Sequence, residues 1–261
     1  LIGKGRGHAE EIPGLHLRDV AGEGHPQQIV GPSPDGLALG HGLLTLFAFG
    51  GSRSRRRFCG CLDVLNSLHC RVSASRRGDF LNLEEAVLLD GPQTLRQDWR
   101  RMGLAANCLR FVEALGVTAE GAAGAYALVE DLRRTLESAP ALPGLFPLFF
   151  RLRLAGVMGF APNLESCGQC GAPLEGGGQF VVDEGQMRCP VCRAASGPAR
   201  YGVELRPAGL DLLRHVQQEL PSGWRVDALP AEDRRACARA IDGFVQYHLG
   251  LAWEEGFFRR V

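Results

Sequence analysis

Two short cysteine pairs constrain this chain more than any other feature: Cys167-Gly-Gln-Cys170 and Cys189-Pro-Val-Cys192, with 18 residues between them. This spacing puts each pair on a tight knuckle with both sulfurs turned toward one point, and two facing knuckles offer four thiolates at the corners of a tetrahedron. Gly168 and Gly171 ease the backbone where the first knuckle turns back. The spacing predicts one zinc ion held by Cys167, Cys170, Cys189 and Cys192. With four sulfurs bound, no coordination position remains for water, so the metal would brace the fold rather than hydrolyse anything. Residues Gln179 to Asp183 and Gln186 to Arg188 would form a small ribbon between the knuckles. Two disulfides or four free thiols are the competing reading. Cys59, Cys61, Cys70, Cys108 and Cys237 have no comparable spacing and read as buried or surface thiols.

Metal or disulfide depends on the redox compartment. No apolar run reaches the ~18 residues that cross a bilayer; the longest are Leu43 to Gly50 and Leu142 to Phe150. The charged start leads into a Gly/His/Glu stretch rather than an apolar segment with a small-residue cleavage site, so no secretory signal is visible. These features predict a soluble cytoplasmic protein with no membrane partner, in a compartment where thiols bind metal more often than they pair. With 45 % hydrophobic and 22 % charged residues the chain can bury a core. Its 29 basic and 29 acidic residues cancel, so overall charge points to no partner and any charge argument is local.

Periodicity changes along the chain. Residues 1–41 are rich in Gly, His, Pro and acidic residues and read as loop, with Leu15, Leu17, Val20, Ile29 and Val30 able to supply one or two short strands. From Leu43 to Phe49 an apolar run ended by Gly50-Gly51 suits a buried strand, and Phe58–Leu65, Leu68–Ser73 and Phe80–Leu89 read as further short β segments with a turn at 76–79. After Gly91-Pro92 the period becomes helical, with helices on Leu104 to Leu115, on Tyr126 to Leu136, and from Gly144 to about Gly159. The third is apolar nearly all round and should be the buried centre of a bundle. Two more helices are expected over Leu205–Leu220 and Ala231–Leu251. The expected organisation is thus residues 1–90 as a β module, 91–163 as the first helical part, 164–200 as the four-cysteine module and 201–261 as the closing helices.

Charge is concentrated in one place. Between Gly40 and Phe80 stand Arg53, Arg55, Arg56, Arg57, Arg71, Arg76 and Arg77 against Asp63 and Asp79, a local balance of +5. The cluster Ser52-Arg-Ser-Arg-Arg-Arg57 beside Gly50 and Gly51 suits phosphate contacts, and Phe49, Phe58 and Phe80 lie near enough in sequence to offer stacking faces. A solvated arginine loop with phenylalanines in the core explains the same residues. Arg100, Arg101, Arg133, Arg134, Arg151 and Arg153 add basic positions on helices, where acidic neighbours such as Glu130 and Asp131 make plain ion pairs an alternative. No nucleophile elbow, phosphate-binding Gly-rich loop or His-Glu-x-x-His is present, and the seven histidines are scattered. His248 on an apolar helix face reads as a hydrogen-bonded structural residue. The chain reads as a non-enzyme.

Two stretches resemble the RecO family of recombination mediators. One is Leu44-Thr-Leu-Phe-Ala-Phe-Gly-Gly-Ser-Arg-Ser-Arg-Arg-Arg-Phe58 with Leu62 and Arg76-Arg-Gly-Asp-Phe-Leu-Asn-Leu-Glu-Glu-Ala86. The other is Phe150-Arg-Leu-Arg-Leu-Ala-Gly-Val-Met-Gly-Phe-Ala-Pro-Asn-Leu-Glu-Ser-Cys-Gly-Gln-Cys-Gly171, which looks like that family's helix leading into its first zinc knuckle. With Leu210–Val216 and a closing helix over 240–258, the resemblance spans about residues 42–258. Residues 1–41 depart from the strands that usually open this family's first domain, and a five-stranded barrel cannot close without them.

The resemblance implies an α+β protein: an N-terminal OB-fold β-barrel and a C-terminal all-α domain with an inserted four-cysteine zinc ribbon. It implies a bacterial, nucleoid-associated protein that binds single- and double-stranded DNA, anneals complementary strands and, with RecR, helps load RecA onto DNA covered by single-strand-binding protein. Arg53, Arg55, Arg56 and Arg57 would then contact phosphate, with Arg76 and Arg77 as a second patch. Arg151 and Arg153 would meet the acidic, aromatic C-terminal tail of the single-strand-binding protein. The competing functions are an RNA-binding protein built from the same two modules and a hydrolase whose site is unrecognised.

Overall fold

In a computed structural model that describes residues 10–17, 35–48, 58, 61–74, 81–197, 199–225 and 229–261, the chain divides into two units. One is Leu1–Trp99 with Gly116–Arg133, the other Arg100–Leu115 with Arg134–Val261.

The first unit is built on five strands: β1 (Glu10–Leu17), β2 (Asp35–Ala38), β3 (Gly42–Phe47), β4 (Ser67–Ala74) and β5 (Leu81–Asp90). Antiparallel pairs join β1 to β2, β2 to β3, β4 to β5 and β1 to β4, and a parallel pair joins β3 to β5, so the sheet closes on itself in the order β1-β2-β3-β5-β4. Closure gives every strand two neighbours, although the β3–β5 seam is short, with Leu46 opposite Leu81 and Phe47 opposite Asn82. Side chains alternate across a strand, and the inward set is apolar: Leu44, Leu46 and Ala48 along β3 and just beyond it, Leu68, Cys70 and Val72 on β4, Leu83 and Ala86 on β5. The step from Leu83 to Ala86 breaks the alternation because the β4–β5 register shifts between Arg71 and Val72. Two short strands, β1 and β2, therefore exist inside the stretch that the sequence suggests is mainly loop. Val20, Ile29 and Val30 lie outside the described residues, as does the expected turn at 76–79. The β segment expected over Phe58–Leu65 is not a strand among its described residues; Phe58 is instead a core side chain and Leu65 takes a positive φ of 66°.

Residues after Leu115 complete this unit. The Leu43 amide donates to the Val117 carbonyl at 2.9 Å, and Gly42, at φ +81°, sits so close that a Cβ would lie 2.5 Å from the same oxygen. Only glycine meets both demands. Helix α2 (Ala122–Ser138) buries Leu128, Val129 and Leu132. Its Arg133, buried, donates to Asp90 at 2.5 Å and Glu130 at 2.6 Å, tying the helix to the end of β5.

In the second unit α1 (Trp99–Leu115) buries Ala105, Cys108, Leu109, Phe111 and Val112, the three-and-four spacing read from sequence. Helix α3 (Phe146–Val157) begins with Pro147 in its first turn, where the missing N–H breaks no bond. It buries Phe146, Phe149, Phe150, Leu152, Leu154 and Ala155, as an all-round apolar helix should, and packs on α5 (Pro207–Gln218) and α6 (Ala231–Leu249). Trp224 stands edge-on to Phe146 and Phe149, with ring centroids at 5.1 and 5.9 Å. Between α3 and α5 lie β6 (Asn163–Cys167), β7 (Gly178–Val181), β8 (Gln186–Arg188), the short helix α4 (Pro190–Ser196) and β9 (Gly202–Leu205), the strands forming one sheet in the order β6-β8-β7-β9.

The closing helix is shorter than the sequence suggests. It ends at Leu249, where Gly250 takes the left-handed conformation at φ +61°. The chain then forms a hairpin of β10 (Leu251–Glu254) and β11 (Phe257–Arg260), turned at Glu255-Gly256, both with positive φ. Helical periodicity could not predict this, because the two strands contribute only four residues each. Among the described residues, no helix is long and apolar enough to cross a membrane.

Candidate metal centre and basic segments

The two knuckles meet. The Sγ atoms of Cys167, Cys170, Cys189 and Cys192 all lie within 4.8 Å of one another. A tetrahedral ion with metal–sulfur bonds of about 2.3 Å requires sulfurs about 3.8 Å apart, and Cys170 and Cys189 are 3.8 Å apart. Local backbone geometry makes this possible. Gly171, at φ +73°, donates its amide to the Cys167 carbonyl at 2.8 Å and closes the first knuckle. Cys189 caps α4, with Pro190 next and the Cys192 amide donating to the Cys189 sulfur at 3.4 Å. The Gly168 amide donates to the Met187 carbonyl at 2.8 Å, which holds the first knuckle against β8.

The electrostatics suit thiolates. Burial opposes ionisation of Cys167, but amide hydrogen bonds from Cys189, Cys170 and Gln169, with one from the Cys170 thiol, outweigh it and bring its pKa down to about 6. Hydrogen bonding to Cys170, burial and the charge on Cys167 push the Cys192 thiol the other way. One negative charge thus suppresses the next until a cation compensates them. The donor set is all sulfur, which fits a soft or borderline divalent ion and leaves no ligand position open. The Cys170 and Cys189 sulfurs stand 3.8 Å apart, well beyond the ~2.05 Å of a disulfide, and none of the eight described cysteines is joined to another. Burial, helped by Cys61 beside Cys70 and Asp233 beside Cys237, raises each of these thiols to about 12, and neither belongs to the four-sulfur cluster.

The basic positions fare differently. Arg53, Arg55, Arg56, Arg57, Arg76 and Arg77, with Phe49, Phe80 and Cys59, lie outside the described residues. Arg71 pairs with Glu85 at 2.8 Å on the outside of the barrel, both half-exposed. Phe58 is 1 % exposed and is core, not a stacking face. Arg151 is buried and donates to Asp242 at 2.7 Å and Asn107 at 3.2 Å, with its guanidinium 4.9 Å from the Phe258 ring centroid and 5.6 Å from that of Trp253. Burial lowers its pKa, and Asp242 counteracts this. These residues line a cavity of about 460 Å³ together with Leu145 and Leu148. Arg153, partly exposed, donates to the Glu219 carbonyl at 3.1 Å. Trp253 and Phe258 were not singled out from sequence, because hairpin aromatics carry no periodic signal. His248 Nε2 donates one hydrogen bond to the Val182 carbonyl, 2.7 Å away, as a structural histidine should.

Comparison with known proteins decides the family. Residues 96–254 match the model for "Recombination protein O C terminal". The chain belongs to the RecO family. It is 47 % identical over 225 residues to the DNA repair protein RecO of Nitratidesulfovibrio vulgaris strain DP4, an alignment covering 84 % of this chain and 88 % of that protein. The RecO protein of Oleidesulfovibrio alaskensis is 45 % identical over 86 % of this chain and 90 % of its own length. That of Lawsonia intracellularis is 40 % identical over 85 % and 89 %.

Proposed function

We propose that this RecO-family chain is a non-catalytic mediator of DNA repair. It binds single- and double-stranded DNA, anneals complementary strands and, with RecR, helps load RecA onto DNA covered by single-strand-binding protein. The observation that carries the reading is similarity to proteins named for DNA repair over more than four-fifths of the chain, which favours DNA over the RNA alternative. Annealing needs no covalent chemistry, only a basic surface that neutralises two phosphate backbones without locking the bases away.

The five-stranded closed sheet supports an OB-type barrel as the nucleic-acid module. On this reading Arg53, Arg55, Arg56 and Arg57, with Arg76 and Arg77, hold phosphate. Zinc is the ion proposed for the four sulfurs, one per chain, bracing the ribbon. Arg151 and Arg153 are the proposed contacts of the single-strand-binding protein's tail: a tail carboxylate would take the place of half-exposed Asp242 beside Arg151, and Leu145, Leu148 and Trp253 would receive an aromatic ring.

The test mixes complementary oligonucleotides coated with the cognate single-strand-binding protein, adds this protein without ATP and follows duplex formation. Faster annealing is expected. No acceleration by folded, metal-loaded protein would refute the annealing role.

A further inference from the structure

A second concave surface in the helical unit is unused by the function proposed above. It measures about 590 Å³ and lies between the ribbon, through Arg200, Tyr201 and Val203, and α6, through Gly243, Gln246 and Tyr247. Tyr201 is 47 % and Tyr247 59 % exposed, so two large rings open onto one concavity. Scattered exposed aromatics are ordinary, but these two are held in place. Tyr247 rests edge-on against His248, 5.1 Å away, and His248 lies 4.7 Å from Phe244 and is bonded to the Val182 carbonyl. The ring therefore ends a row of aromatics anchored in the core. Tyr201 stands just before β9, the strand paired with β7, and its carbonyl accepts the Val182 amide at 3.0 Å. The Arg200 guanidinium stands 5.1 Å from the Tyr201 ring centroid, and it is the one charged side chain among the described residues lining the groove.

The groove is also lined by Val182 and Val261, and its flat apolar faces, with Arg200 as the one charged side chain among the described residues at the rim, suit a ligand that is itself flat and carries a negative group. A nucleotide of an unpaired strand has both properties; duplex bases are stacked away from such rings. We infer that this groove is a base-stacking site for single-stranded DNA, with Tyr201 and Tyr247 receiving bases and Arg200 a phosphate. The site rests on the DNA-binding reading and extends it to residues of the helical unit, separate from the arginine clusters of residues 53–57 and 76–77. It would keep bases splayed while the basic segments hold backbone.

The experiment titrates fluorescein-labelled oligothymidylate with the full metal-loaded chain and follows anisotropy across a salt series. Tyr201→Ala with Tyr247→Ala should weaken binding about tenfold or more while leaving the salt dependence unchanged, since stacking releases no counterions. Tyr201→Phe with Tyr247→Phe keeps the rings and should bind within about twofold of the original. Arg200→Ala should instead lower the slope of log affinity against log salt by about one unit. Unchanged affinity in the double alanine variant, with its metal content and melting temperature intact, would overturn the stacking site while leaving DNA binding in place. Absence of binding by the unsubstituted chain would overturn the DNA-binding reading itself. If the double alanine variant loses an acidic phenylalanine-containing peptide but keeps oligothymidylate, the groove serves a protein partner and the inference is wrong.

Discussion

The barrel and the ribbon are both small β-structures, one of five strands and the other of four, but they are stabilised by different means. The barrel pairs every strand with two neighbours and fills its interior with Leu46, Leu68, Cys70, Val72 and Leu83, each nearly inaccessible. The ribbon has strands of three to five residues, and its best-buried strand, β7, sets Phe180 6.4 Å from Phe244 of α6. What fixes its far end is the four-sulfur cluster. A module below about 40 residues rarely supplies a sufficient core of its own, so a metal held by the four sulfurs would replace buried area there, whereas the barrel obtains its order from closure.

That contrast predicts its largest effect at the sulfurs. Metal analysis of protein purified without chelator should find about one zinc per chain, and Cys170→Ser or Cys189→Ser should lose it. Structural zinc contributes on the order of 10 kcal/mol to small zinc modules, so either substitution should unfold the knuckles. Hydrogen exchange would show protection lost across residues 163–205 and retained in the barrel strands. Protection lost equally in the barrel would mean that the two modules are one cooperative structure.

The next effect concerns a buried arginine in each unit. Arg133 in the first is held by Asp90 and Glu130, and Arg151 in the second by Asp242 and Asn107. Truncating one partner of a buried pair typically costs about 3–5 kcal/mol, because the other charge is stranded. Arg133→Ala removes the guanidinium beside Glu130, itself largely buried, whereas the Asp242 side chain left by Arg151→Ala is 56 % exposed and can be hydrated. Thermal denaturation should therefore show the larger loss for Arg133→Ala. Equal losses would indicate that the aromatic contacts of Arg151 with Phe258 and Trp253 matter as much as its ion pair.

These residues also show what sequence can and cannot disclose. The four-cysteine cluster was legible because its determinants are local: two knuckles, each fixed by a four-residue spacing, need only be brought together. Helices α1, α2 and α3 were legible for the same reason, since their periodicity is written over three to five turns. Barrel closure is not local. It needs β1 beside β4 and β3 parallel to β5, pairings between residues dozens of positions apart, and a four-residue strand such as β2 carries almost no pattern of its own. The end of α6 escaped for a related reason: Leu251 continues the apolar spacing of the helix, and only Gly250 marks the stop. The burial of Arg151 was likewise invisible, as its partner Asp242 is 91 residues away.

A smaller effect tests the arginine cluster. If the cluster is the phosphate-binding loop proposed for it, changing Arg55, Arg56 and Arg57 together to Ala should leave the melting temperature within about 2 °C, because solvent-facing charges contribute little to folding. DNA affinity should fall, and the salt slope should flatten by roughly one unit for every phosphate no longer neutralised. An unchanged slope in a salt titration would assign these arginines to solvated surface and shift the DNA contact elsewhere.

The smallest effect uses the thiols themselves to separate ribbon from core. Cys167 sits at about 6, lowered by amide hydrogen bonds that outweigh its burial, while Cys70 in the barrel and Cys237 in α6 are raised to about 12, chiefly by burial. Iodoacetamide attacks the thiolate, and chelation releases and exposes the knuckle thiols, so mass spectrometry at neutral pH should then find Cys167 alkylated and the buried Cys70 and Cys237 untouched. The same shifts set an alkaline limit. For a thiol whose folded value is raised above the ordinary 9, both states are neutral below pH 9 and stability is unaffected. Between about 9 and 12 the unfolded chain ionises and the folded one does not, so stability falls as pH rises, by up to about 1.4 kcal/mol per unit for each thiol. Cys70→Ala should flatten this decline in the barrel and Cys237→Ala in the helical unit. If neither substitution changes the alkaline slope, the two thiols ionise without unfolding the chain, and their surroundings admit more water than the packing around them implies.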